Sequence, residues 1–243
     1  VDTTMKAGFN WELGIFEIWN KLGLEETAHR MQKSNKVLPP LVEKTLAFGE
    51  KAFYTEKDGA LTFFDLGTGN HQPVVEHVGV VRLSSLRRSN RVVGSNRSAS
   101  LLDLGDGIVC FEFQSKANTL DIDVLHFLRE TVEDLDGKHA GMVIGNDGLN
   151  FSVGANLVML LEHSRAGRFS EIERMISEVQ TLFCALRDSP KPTVAAVFGQ
   201  TLAGGCELAM HCTRVQAAAE TYMGLVEVGA GLIPAAGGCK EMM

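Results

Sequence analysis

The sequence predicts an α/β protein, in which a helical first segment precedes a domain built on a largely parallel sheet. Three observations carry this expectation. Apolar residues recur at helical spacing near the start, strands and helices alternate from residue 100 onward, and glycine-rich turns separate strand from helix.

Residues 1–58 read as helical. Trp11, Ile15, Ile18, Trp19 and Leu22 recur every three or four positions, one face of an amphipathic helix. Pro39-Pro40 opens a second helical pattern with Leu41, Val42, Leu46 and Phe53. Proline is tolerated there because its missing N–H had no intrahelical acceptor. Residues 59–99 read as a linker, with a short strand at 61–65 ending in Gly67-Thr68-Gly69. The basic stretch at 86–91 reads as a solvated connector, with phosphate binding as its alternative.

From residue 100 the segments 100–104 and 108–113 flank Gly105-Asp106-Gly107, a hairpin signal. A helix is expected at 124–135, a strand at 140–144, and a long amphipathic helix at 169–186 stopped by Pro190-Lys191-Pro192. A buried strand at 194–197 and a helix at 206–211 follow, the latter after a glycine turn. This alternation implies βαβ units.

Composition narrows the function. The chain has 243 residues, 45% hydrophobic and 22% charged, with a net charge of −7. The acidic balance argues against a broad nucleic-acid surface. No continuous apolar run reaches the ~20 residues of a membrane span, and such hydrophobicity argues against disorder. The sequence opens on Val1 with no targeting pattern and breaks off after 237–243, so a piece of a longer chain is expected. Five cysteines (Cys110, Cys184, Cys206, Cys212 and Cys239) include no Cys-x-x-Cys pair. They read as small buried residues in a reducing, cytoplasmic compartment rather than as disulfide or zinc partners.

Two turns carry the candidate chemistry. The first is Asn150-Phe151-Ser152-Val153-Gly154-Ala155-Asn156-Leu157, after a strand; the second is Gly199-Gln200-Thr201-Leu202-Ala203-Gly204-Gly205-Cys206-Glu207, between strand and helix. At a helix start, backbone N–H groups lack partners and the dipole favours negative charge. Two such groups aimed at one point make an oxyanion hole, and glycine lets a ligand approach closely. Glu207, in the first turn of the second helix, and Glu227, twenty residues later, lie in apolar stretches. Burial poises a carboxyl for proton transfer. The residues alone also allow a plainer reading, with Glu207 complementing the dipole and Glu227 on the surface. His211, Tyr222 and Met223 read as packing, Cys206 as a space-filler without an activating base, and no histidine spacing suggests a metal.

Taken together, four motifs make residues 100–243 resemble the enoyl-CoA hydratase/isomerase (crotonase) superfamily. They are Ser115-Lys116-Ala117-Asn118-Thr119-Leu120, Phe151-Ser152-Val153-Gly154-Ala155-Asn156-Leu157, Ala203-Gly204-Gly205-Cys206-Glu207-Leu208, and Met223-Gly224-Leu225-Val226-Glu227 leading to Gly231-Leu232-Ile233-Pro234-Ala235-Ala236-Gly237-Gly238. Residues 1–58, with Gly8-Phe9-Asn10-Trp11-Glu12-Leu13-Gly14 before Phe16-Glu17, are similar to the C-terminal helical domain of 3-hydroxyacyl-CoA dehydrogenases. The combination resembles bacterial multifunctional β-oxidation proteins, in which a dehydrogenase half precedes a hydratase half.

The resemblance implies a crotonase-like ββα spiral domain, incomplete after residue 243, behind a partial dehydrogenase domain. It implies that the Ala155 and Gly204 N–H groups bind the thioester oxygen, that Glu207 deprotonates water, and that Glu227 gives a proton to the α-carbon. It implies too that Ser115, Lys116, Ala117 and Leu157 touch coenzyme A, chiefly through main chain. Relatives that only shift a double bond usually lack the glutamate matching Glu207, so the pair implies hydration to a 3-hydroxyacyl-CoA. Isomerisation, thioester hydrolysis and a non-catalytic docking role are the alternatives. The family often has Asp at Asn156 and a glycine run at 235–238. An acyl-CoA thioester is the implied substrate, with no cofactor for the hydratase domain. NAD is expected only for a dehydrogenase nucleotide-binding domain, whose Gly-x-Gly-x-x-Gly run is absent here. A homo-oligomer is implied, with the family's trimer contacts made by helices beyond residue 243.

Overall fold

The computed structural model describes residues 1–57, 60–75 and 79–243. The chain divides into two compact units, Val1–Val81 and Arg82–Met243.

In the first unit four short helices, α1 (Asp2–Phe9), α2 (Ile15–Leu22), α3 (Leu24–Lys33) and α4 (Pro40–Ala47), precede three strands, β1 (Tyr54–Lys57), β2 (Ala60–Asp65) and β3 (Asn70–Pro73). The helix face expected to run from Trp11 to Leu22 is broken. Asn10 is left-handed at φ 54°, and Trp11 lies between α1 and α2. The cause is Asp2, whose carboxylate accepts the N–H groups of Phe16 and Glu17 at 3.0 and 3.2 Å. A side chain from α1 thereby supplies the cap that fixes the start of α2. Phe16 and Trp19 then pack on a small core of Leu24, Ala28, Leu38, Val42 and Phe53. Phe53 reaches that core from beyond the end of α4, not from the helix its spacing suggested.

The linker expected over 59–99 is replaced by ordered structure, although residues 59 and 76–78 lie outside the described residues. The strand at 61–65 falls in β2, which is the centre of an antiparallel sheet ordered β1-β2-β3. Its partners β1 and β3 have sequences too polar to reveal a strand until a neighbour pairs with them. The rest of the stretch belongs to the second unit, as helix α5 (Leu83–Arg88) and strand β4 (Val92–Ser95). Nor is the basic cluster a solvated connector. Arg87 ion-pairs with Glu112, whose side chain is 3% exposed, and Arg91 binds Asp103 at 2.8 Å. A carboxylate buried inside a sheet needs a cation, and a nearby helix supplies it.

The second unit continues with the expected hairpin, β5 (Ala99–Gly105) and β6 (Ile108–Phe113). Gly105, Asp106 and Gly107 at its turn have φ of 97°, 53° and 75°. After a 3₁₀ turn at Lys116–Asn118 come α6 (Ile122–Lys138), β7 (Gly141–Gly145), α7 (Leu157–Arg165), α8 (Phe169–Arg187), β8 (Thr193–Val197), β9 (Gln200–Leu202) and α9 (Gly204–Met210). The chain then adds β10 (Arg214–Ala217), β11 (Tyr222–Gly224), a 3₁₀ turn at Glu227–Ala230 and the short α10 (Gly238–Glu241). The main sheet has the order β10-β8-β7-β6-β5-β4, parallel from β6 to β10 and antiparallel at the hairpin edge.

Strands β9 and β11 form a separate two-stranded parallel layer. Twice, therefore, a strand of the main sheet leads into a short strand of the second layer and then into a helical turn: β8–β9–α9, and β10–β11 with Glu227–Ala230. Helices α6 and α8 cover the main sheet, burying Leu128, Leu135, Phe183 and Leu186 against Phe111, Phe113 and Ile144. Phe113 meets Phe151 edge-on at 5.5 Å, which ties the sheet to the turn that follows β7. No helix among the described residues is long and apolar enough to cross a membrane.

Candidate active site

The second layer gathers residues that are distant in sequence. Ser152 bridges Thr201, and the Leu202 N–H donates to the Ser152 carbonyl at 2.9 Å. On the other side Leu120 bridges Ala155, its N–H donating to the Gly154 carbonyl at 2.9 Å. Beyond β9, the Ala203 N–H donates to Gly224 at 3.0 Å, which draws the strand before Glu227 to the start of α9.

Two glycines permit this convergence. Gly154 is left-handed at φ 94°, and a Cβ there would lie 2.9 Å from the Ala203 Cβ and 3.0 Å from the Gly204 nitrogen. A Cβ on Gly205 would fall 2.6 Å from the Ser152 Cβ. The two turns thus touch backbone to backbone. A Cβ on Gly204 would sit 3.6 Å from the Ala155 nitrogen, so the two candidate N–H groups are neighbours. Among the described residues neither donates to a protein acceptor. Gly204 opens α9 and its N–H is an orphan by position. Ala203, which caps it, holds φ 50° and ψ −126°, a strained conformation for a residue with a Cβ.

The turn at 115–118 lies against the same loop. Ser152 Oγ donates to the Asn118 carbonyl at 2.6 Å, and the Asn118 side chain donates to the Asn150 carbonyl at 2.8 Å. Ser115 Oγ closes the turn onto the Thr119 carbonyl at 2.6 Å. Lys116 and Ala117 are exposed, and Ala117 is left-handed at φ 55°. Leu157 is half exposed at the start of α7, where the Asn156 side chain accepts the Val158 N–H. Asn156 therefore does the capping work open to either Asn or Asp.

Glu207 is 3% exposed. Its Oε1 accepts the N–H groups of Ala236 and Gly238 at 2.8 and 2.9 Å. Burial pushes its carboxyl above the ordinary range and the charge of Glu227 adds to this, while the two N–H groups and His211 partly offset the rise. Glu227, half-buried at the head of its 3₁₀ turn, presents a buried Oε2 with no hydrogen-bond partner among the described residues. A carboxyl oxygen left unpaired in a folded chain is an uncommon expense unless something else occupies the space before it. Cys206, between the two carboxylates' fields, has its thiol pushed up to about 11 by burial first and then by Glu227 and Glu207. It stays protonated and fills space.

The structure thus brings the Ala155 and Gly204 N–H groups side by side at the head of the helix that carries Glu207; Lys116 and Ala117 lie exposed on the adjoining 115–118 turn, and Leu157 is linked to Ala155 along the chain. Three contributors stand in the quoted motifs with no role assigned there: Ser152, and the N–H groups of Ala236 and Gly238.

Residues 104–243 match the family model described as enoyl-CoA hydratase/isomerase. A Bacillus subtilis (strain 168) protein described as a probable 3-hydroxyacyl-CoA dehydrogenase is 39% identical over 242 residues, covering 100% of this chain but 30% of its own length. A fatty acid oxidation complex subunit alpha from Vibrio campbellii is 38% identical over 132 residues, covering 52% of this chain and 18% of its own length. Among solved structures, an enoyl-CoA hydratase from Bacillus anthracis superposes with a TM-score of 0.54 at 25% identity, covering 60% of this chain and 57% of that one. The chain thus spans under a third of the length of these curated relatives. Its second unit has the crotonase fold, and the chain belongs to the enoyl-CoA hydratase/isomerase family.

Proposed function

We propose that the second unit is an enoyl-CoA hydratase centre that adds water syn across the double bond of a trans-2-enoyl-CoA, giving a 3-hydroxyacyl-CoA. The observation that carries this reading is that the unpartnered Ala155 and Gly204 N–H groups are neighbours at the start of the helix that bears Glu207, to which the Ala203–Gly224 hydrogen bond draws the strand before Glu227. The Ala155 and Gly204 N–H groups receive the thioester oxygen as negative charge develops on it during attack at the β-carbon. Such donors cost no reorganisation when the charge arrives, and each is worth about 10²–10³ in rate. Glu207, held by Ala236 and Gly238 through one oxygen, orients water and takes its proton. Glu227 gives a proton to the α-carbon. The 115–117 turn and Leu157 hold the coenzyme A moiety.

The pair of glutamates favours hydration over double-bond movement, which needs only one proton shuttle. The proposed reaction uses no bound cofactor. NAD is proposed only for a dehydrogenase nucleotide-binding domain, whose Gly-x-Gly-x-x-Gly run these residues do not contain. In a longer protein, oxidation of the 3-hydroxyacyl product by an NAD-dependent dehydrogenase half is the proposed next step. The five cysteines are all free, which supports a reducing, cytoplasmic setting.

Loss of enoyl-thioester absorbance on adding crotonyl-CoA tests the reading. Glu207→Gln and Glu227→Gln should each lower kcat by about 10²–10⁴-fold, the usual worth of a positioned acid or base. Unchanged turnover in both variants sinks the proposal. Movement of the double bond without water uptake establishes isomerisation instead, and release of free coenzyme A thiol establishes hydrolysis.

A further inference from the structure

His211 touches both the Glu207 backbone and the 236–238 segment that holds its carboxylate, contacts the proposed reaction does not use. It is 2% exposed and follows Glu207 by one helical turn, so its Nδ1 reaches the Glu207 carbonyl at 2.7 Å. The edge of its ring lies against Gly237, where a Cβ would come within 3.0 Å of the imidazole Cε1. Gly237 sits between the two residues whose N–H groups hold the Glu207 carboxylate. The ring is thus wedged between the backbone of the base and the backbone of its cradle.

A second set of charges holds the wedge. His211 Nε2 faces Glu241 Oε1 at 3.7 Å, and that oxygen also pairs with Arg187 at 3.0 Å and Lys240 at 3.6 Å. Arg187 is bound in turn to Asp188 at 2.9 Å. From α8 the Phe183 ring covers the imidazole, with centroids 5.3 Å apart. The charged groups around His211 are therefore Glu207 on α9, the helix His211 caps, Glu241 and Lys240 on α10, Arg187 at the end of α8 and Asp188 just beyond it. Through Glu241 this cluster fastens α10, whose first residue is Gly238, onto α8 and α9.

We propose that His211, fastened by Glu241 and Arg187, is a positioning residue that fixes the Glu207 carboxylate in its 236–238 cradle. This deepens the hydratase reading and rests on it for the catalytic readout. Arg187 is the anchor because it reaches Glu241 from a long helix packed into the main core. Loss of the wedge frees Gly237, lengthens the hydrogen bonds that Ala236 and Gly238 donate to Glu207, and removes a positive influence from beside it. Both changes disfavour the ionised base.

The test uses the full chain with His211→Leu, which removes both contacts; His211→Asn, which keeps a donor near the Nδ1 position; and Glu241→Gln, which keeps shape and removes charge. His211→Leu should lower kcat by roughly 10²-fold, the cost of a misplaced reacting group, with KM changed by no more than about twofold. The acid limb of its rate profile should move to higher pH, and His211→Asn should recover part of kcat. Glu241→Gln should show the same signature at smaller size, and carries the test if His211→Leu does not fold. Independently of turnover, ¹³C NMR titration of the Glu207 carboxyl, assigned against Glu207→Gln, should move up in His211→Leu and in Glu241→Gln. A Glu207 titration unmoved in the folded variants overturns the inference. A wild-type chain that titrates as expected but does not hydrate crotonyl-CoA overturns the hydratase reading instead.

Discussion

Glu207 is asked to be a base in a place that resists its charge. Burial lifts its carboxyl, and Glu227 lifts it further, so hydration should fail on the acid side at a pH above that of an ordinary exposed glutamate. The acid limb of kcat against pH measures this, and a limb at the ordinary carboxylate position contradicts the assignment of Glu207 as base. Gly154 allows an equally specific expectation. A methyl group at Gly154 would press on Ala203 and on the Gly204 nitrogen, at a φ that side chains avoid. Gly154→Ala should therefore lose about 10²–10³ in kcat by displacing one oxyanion donor. Both residues could be picked out of the sequence because strand, glycine turn and helix are consecutive there. The Ala236 and Gly238 N–H groups could not, since they return from roughly thirty positions downstream and contribute only backbone.

Between elements, the clearest dependence is that of α5 on β6. Glu112 is buried in β6 and its ion pair comes from Arg87 on α5, with Gln114 donating from 3.2 Å. Removing one partner of such a pair is far costlier than removing both, because it leaves a buried charge uncompensated. Arg87→Ala should cost about 3 kcal/mol in urea unfolding, and adding Glu112→Gln should recover a good part of it. A cost under about 0.5 kcal/mol would place the pair among solvated ones. The α7 start is a gentler case: Asn156→Ala removes the cap on Val158 and should cost about 1 kcal/mol. The sequence marked this arginine cluster only as basic. Which carboxylate it neutralises depends on strand order, because β6 and α5 are brought together by β4 and β5 folding back between them.

At the level of the whole chain, activity and stability are set against each other by the same carboxyl. A carboxyl whose protonation is favoured by folding stabilises the fold below its unfolded range, and that contribution is lost as pH rises through its folded value. Glu207 is such a group. Glu207→Gln keeps an oxygen for the Ala236 and Gly238 N–H groups and removes the charge. Its stability margin over wild type in urea should widen as pH rises from the ordinary carboxylate range, even though its turnover is lost. A margin that shrinks over that rise contradicts a raised Glu207.

What the sequence determined by itself was local: the hairpin at Gly105-Asp106-Gly107, the long helices α6 and α8, the strands β7 and β8, and the two glycine turns with Glu207 and Glu227. Each is written in adjacent residues, as periodicity, punctuation by glycine and proline, or a helix start. The tertiary structure alone decided that 60–73 pairs into a sheet, that Asp2 caps a helix through an N–H fourteen positions away, and that His211 and Glu241 pair beside the segment holding the base. Those outcomes depend on which segments become neighbours. A polar strand acquires its hydrogen bonds, and a buried carboxylate its partners, only when the rest of the chain arrives.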